Sequence, residues 1–189
     1  MEPLDALAAA SAEFARRLRD VGPADWDRPT PCAEWTIRDL VQHQIVGQQM
    51  TVALLGGSSR DEALEIAMTA EFPADPVAAY DDGTAAQAAA FAVDGVLERI
   101  IPHPAGDFPG AVVLNFRIGD ATMHAWDLAR AIGADETLNA ELVAHVWEGI
   151  QPMVPIMGAS GRFGDGPSGS VGVDADPQLL LLDATGRRP

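Results

Sequence analysis

NFRIGDATMHAWDLARAIG, residues Asn115 to Gly133, reads as one amphipathic helix and holds the strongest chemical signal in the chain. Residues four apart in a helix stand one above the other. Asp120 and His124 therefore share a face, and Asp127 continues it. A carboxylate oxygen and an imidazole nitrogen at that spacing suit a single divalent ion. A third donor has to come from elsewhere. Of the four histidines, His43, His103, His124 and His145, only His43 lies inside a long helical pattern well upstream. The expectation is a helical bundle in which His43, Asp120 and His124 meet between two helices.

The rest of the chain agrees with a bundle. Its 189 residues suffice for one domain with a real core. The 48% of apolar residues is rich in Ala and Leu, which favours helix. Twelve basic residues against 28 acidic ones give a formal charge of −16. A field of that sign repels nucleic acid and anionic membrane surfaces. No run is long and apolar enough to span a bilayer. The start, MEPLDALAAA, is acidic where a secretion signal would be basic. The one cysteine, Cys32, excludes a disulfide framework. A cytoplasmic location is expected.

Upstream of the key helix, residues 101 to 112 (IPHPAGDFPGAV) hold three prolines and two glycines. They predict a structured connection with a hairpin-like turn at Gly106-Asp107. Before it, an alanine-rich helix is expected from Pro76 to about Ile100, and a short one over residues 61 to 71, capped by Ser58 or Ser59. Thr36 is placed to cap a long helix ending at Gly56-Gly57, with Asp39 completing a capping box. That helix is unusual in its uncharged polar residues, Gln42, His43, Gln44, Gln48 and Gln49. Prolines 23, 29 and 31 make the segment before it a rigid connector, whose Trp26 and Trp35 are expected to plug a bundle end. The first helix covers residues 4 to 20. Downstream, a helix is expected over Thr137 to Val154, then a Gly/Ser/Pro-dense loop over residues 158 to 175, then a short helix over Asp176 to Ala184. No repeat and no second domain is evident, so residues 1 to 189 are expected to form one domain.

Three stretches carry a family resemblance: PTPCAEWTIRDLVQHQ (Pro29 to Gln44), MHAWDLARAIGAD (Met123 to Asp135) and LLLLDATGRRP (Leu179 to Pro189). In order and spacing they resemble a large actinobacterial family related to the mycothiol-dependent maleylpyruvate isomerase N-terminal domain, within the DinB-like superfamily. The resemblance covers nearly the whole chain and is specific to the family rather than to a reaction. It implies an all-α, DinB-like four-helix bundle with short extra helices and a Gly/Pro-rich loop near the C-terminus. It also implies a divalent metal, zinc foremost with nickel or manganese as alternatives. The family's histidine on the second helix matches His43, and its later pair matches Asp120 and His124. At the Asp120 position relatives carry glutamate or histidine. Better-studied relatives use a low-molecular-weight thiol such as mycothiol.

Two imidazoles and one carboxylate are a familiar zinc set that keeps a position for water or substrate. Against it stands an arrangement in which both histidines are satisfied helix residues and Asp120 pairs with Arg117. Asp127 is placed either to orient His124 or to pair with Arg130. Arg130 and Arg38 read as surface ion-pairing residues, Cys32 as a small buried thiol, and His103 as a residue of a connection able to close over a pocket. The Gly-rich loop lacks the Gly-Lys-Ser/Thr ending of a phosphate-binding loop. The expected activity is activation of a thiol or water against a small electrophile. The alternatives are a non-catalytic metal- or ligand-binding bundle and a subunit-interaction protein. A homodimer is among the expected partners, with no interface legible in the sequence.

Overall fold

A computed structural model describes residues 1–157 and 166–188. Contacts divide the chain into two compact units, Glu2–Glu136 and Thr137–Pro189, the latter together with Met1. The larger unit is a bundle of four helices: α1 (Pro3–Leu18), α2 (Ile37–Leu55), α4 (Pro76–Phe91) and α5 (Gly110–Ile132). Helix α5 packs on α1 and α2, and α4 lies against both from the other side. The short α3 (Arg60–Thr69) rests on α2. The chain has the DinB-like bundle fold expected of it.

Local chemistry fixes the helix starts. The Thr36 hydroxyl accepts from the Asp39 N–H, and the Asp39 carboxylate accepts from the Thr36 N–H, so the expected capping box opens α2. Ser59 and Glu62 do the same for α3. Helix α4 is shorter than its alanine pattern predicts. It stops at Phe91, and the chain turns through Gly95, whose φ of +73° is costly for any residue with a side chain.

The expected connection is an antiparallel hairpin of β1 (Ile100–His103) and β2 (Gly106–Pro109), with its turn at Pro104-Ala105 rather than Gly106-Asp107. Arg60 of α3 clamps it, donating to the His103 carbonyl at 2.9 Å and the Asp107 carboxylate at 2.6 Å. Helix α5 begins five residues before Asn115. The Gly110 and Ala111 amides donate to the carbonyls of Arg99 and Leu97, so the helix end is satisfied without a side-chain cap. A Cβ on Gly110 would collide with the Val96 carbonyl.

In the smaller unit, α6 (Ala140–Ile150) starts at an Asn139 cap. A 3₁₀ turn (Gln151–Met153) and the short α7 (Val154–Met157) follow. Helix α8 (Pro177–Ala184) packs on α6 and is capped by Asp176. The expected helix over Thr137 to Val154 is therefore split, and residues 158–165 of the expected 158–175 loop lie outside the described residues. Among the described residues no helix is long and apolar enough to cross a membrane.

Candidate metal centre

Helices α2 and α5 meet along a polar seam. Asp120 Oδ1 stands 3.2 Å from His43 Nε2 and 3.3 Å from His124 Nε2. The three donor atoms predicted from the sequence thus come together within 4.8 Å of one another. Metal–ligand bonds of about 2.0–2.1 Å in a tetrahedron place neighbouring N and O donors roughly 3.3 Å apart. The residues fit a divalent ion in both donor type and spacing.

The other oxygen of the carboxylate is held from behind. Asp120 Oδ2 accepts from Arg117 at 2.7 Å and from the Gln44 side chain at 2.7 Å. Arg117 is itself buried and donates through Nε to Gln87 at 3.2 Å. Its guanidinium passes across α2 at Gly47, where a Cβ would lie 2.5 Å from the guanidinium nitrogen. The Arg117 pairing and the histidine convergence, alternatives in the sequence, therefore coexist, one on each oxygen.

Asp127 is fully buried and lies with Oδ2 2.9 Å from His124 Nδ1. It orients the imidazole, as carboxylates behind metal-binding histidines do. Arg130 turns away to form a two-pronged contact with Glu136 at 2.6 and 2.7 Å, stacked over Trp126. Burial by itself pushes the Asp120 carboxyl up. His43, His124 and Arg117 overcome it and hold the group well below the ordinary carboxylate range. Burial alone would lower His124, but Asp120 and then Asp127 outweigh it and hold the imidazole well above its usual value. A divalent ion at Nε2 would replace a proton that two carboxylates now stabilise.

The connector before α2 supplies the wall of the site. Thr30 N–H and hydroxyl both donate to the Trp35 carbonyl, and Trp35 N–H donates to the Cys32 carbonyl. Glu34, at φ +66°, makes the turn. This knot lays Trp35 across both histidines, with ring centroids 5.0 Å from His43 and 5.8 Å from His124. Trp35 thus covers the site rather than a bundle end. Trp26 packs on Phe72 at 5.3 Å, with Arg38 over the Phe72 ring. The knot also delivers Cys32, whose Sγ lies 3.8 Å from His124 Nδ1 and donates to Asp127 at 3.3 Å. No spacing rule links residue 32 to residues 124 and 127, so this contact is not legible in the sequence. His103 packs against Phe108 and Phe116 and belongs to neither donor cluster.

An open groove of about 550 Å³ is lined by His43 and Trp35 together with Gln42, Val46, Ala67, Glu34 and Asp39. Of the three donor residues, His43 is the one that lines it.

The model of the mycothiol maleylpyruvate isomerase N-terminal domain family matches residues 7–129. The uncharacterized proteins MT0763 and Rv0738, from Mycobacterium tuberculosis strains CDC 1551 / Oshkosh and ATCC 25618 / H37Rv, are each 34% identical over 149 residues. Those alignments cover 75% of this chain and 74% of each relative. Among solved structures, the crystal structure of the mycothiol-dependent maleylpyruvate isomerase superposes with a TM-score of 0.61 at 17% identity. The match covers 77% of this chain and 66% of that one, so the chain spans just under two thirds of the isomerase's length.

Proposed function

The chain belongs to the mycothiol maleylpyruvate isomerase N-terminal domain family, and from that premise we propose that it is a divalent-metal protein acting on a small molecule. His43, Asp120 and His124 hold the ion, and the groove beside Trp35 receives the molecule. The observation that carries this reading is the convergence of two imidazole nitrogens and one carboxylate oxygen, one of whose residues, His43, also lines the groove. Zinc suits the set best, with nickel and manganese next. Such an ion, when bound, lowers the pKa of a coordinated thiol or water towards neutrality. The name of the structural relative suggests a low-molecular-weight thiol such as mycothiol as the co-substrate, set against a small electrophile.

The chain's own side chains prepare the site. Arg117 and Gln44 fix Asp120 so that one oxygen, not two, faces the histidines. Asp127 fixes the His124 ring, and Trp35 shields one side from water. One observation favours a second reading, a non-catalytic holder. The Arg117 guanidinium already offsets the Asp120 charge without any ion.

Cobalt-loaded protein separates the two. Added azide or a small thiol shifts the visible d–d bands if a coordination position is open to ligands from the groove. Unchanged bands at saturating ligand would support the closed, non-catalytic holder.

A further inference from the structure

The imidazole of His124 has donor clusters on both of its edges: the Nε2 edge faces the ion of the site described above, and on the Nδ1 edge Asp127 orients the ring. On the Nδ1 edge, Cys32 Sγ and Asp127 Oδ2 complete a second group of three donors within 4.8 Å of one another. The spacings are 3.8 Å from sulfur to nitrogen, 3.3 Å from sulfur to oxygen and 2.9 Å from nitrogen to oxygen. A tetrahedral ion bonded to sulfur at about 2.3 Å and to nitrogen and oxygen at about 2.0–2.2 Å sets neighbouring donors roughly 3.3–3.6 Å apart. The group therefore needs shifts of only a few tenths of an ångström to close on an ion.

We propose that Cys32, Asp127 and His124 Nδ1 form a second metal position, selective for soft ions, back to back with the first on one imidazole. Thiolate selects zinc, cadmium and cobalt over magnesium and calcium. Binding releases the Cys32 thiol proton and any proton on Nδ1 to solvent, while Asp127 contributes a carboxylate. Asp127 is fully buried, whereas Cys32 is part-exposed on the connector, so the connector is the side from which an ion enters. The Thr30–Trp35 knot holds Cys32 in place for it.

The test is a cobalt(II) titration of the full chain with no added thiol, followed by absorption, and a parallel cadmium titration. The parent should bind up to about two ions per chain. Binding should raise a near-ultraviolet thiolate-to-metal charge-transfer band beside the visible d–d bands. Cys32→Ser and Asp127→Asn should both lose the near-ultraviolet band. Cys32→Ser should still take up about one ion, with circular dichroism as the check on folding. His43→Ala should keep the band while losing affinity at the other edge. A parent without the band, or a band that survives in Cys32→Ser, overturns this second position and leaves the first untouched. A band that persists while His43→Ala changes nothing would instead overturn the first site alone.

Discussion

Helix α5 is buried on two sides by opposite means. On α1, the buried face is mostly apolar, with Ala6, Leu7, Ala10, Phe14, Ala15 and Leu18, and Ser11 and Arg17 are its buried polar residues. On α2, the seam carries His43, Gln44 and the bare backbone of Gly47, facing Arg117, Asp120 and His124. Apolar burial contributes stability roughly in proportion to area. A buried polar network contributes little net stability and often costs some, because its charges give up water. The first seam holds the bundle together, and under the proposed function the second serves the ion. Substitutions in the two should therefore separate stability from metal affinity.

The largest effect belongs to the apolar seam. Phe14→Ala, which removes a buried ring 4.8 Å from that of Tyr80, should cost about 3–5 kcal/mol in urea unfolding. The folded fraction should keep the parent's zinc stoichiometry.

Arg117→Met tests the polar seam. It strips the cation from the part-exposed Asp120 carboxylate. Chelator-treated protein should lose about 1–3 kcal/mol, less than for a fully buried pair. Saturating zinc should recover most of that loss, since the ion takes over the charge balance. An equal loss with and without zinc would mean that no ion sits beside Asp120.

Asp127→Asn keeps the shape but weakens the hold on His124. Zinc affinity in competition with a chromophoric chelator should fall about 10–100-fold, with a small change in stability.

The smallest effect lies outside both seams. Thr36→Ala should cost about 1 kcal/mol through the lost cap and leave zinc affinity unchanged. The Thr36 hydroxyl, then its N–H, holds the Asp39 carboxyl below its usual range. A folded-state value depressed in this way stabilises above the unfolded carboxyl's pKa. That contribution is lost as pH falls through the lower, folded value. The gap between parent and Thr36→Ala should therefore narrow on acidification.

What could be read from the sequence was local. The Thr36/Asp39 cap spans four residues, so spacing sufficed, whereas for α3 the sequence left Ser58 and Ser59 both open and the structure picks Ser59 with Glu62. Asp120 and His124 share a helix face, and one upstream helical histidine completed the set. Features that depend on a distant chain segment were not legible. The start of α5 is satisfied by carbonyls of residues 97 and 99, which no pattern within α5 reveals. The alanine periodicity of α4 runs past Phe91 and hides the break at Gly95. The polar residues of α2 stood out, but the role of Gln44 and the need for glycine at 47 become visible only once Arg117 lies across them. Cys32 and Trp35 reach the histidines only because the connector knots back on itself.

The most direct test is equilibrium dialysis of untagged protein and a His43→Ala/His124→Ala variant against limiting zinc, with metal and protein measured in each. Zinc retained by the parent and absent from an equally helical variant is the predicted result. A parent that retains none, or a variant that retains as much as the parent, would contradict a metal centre between α2 and α5.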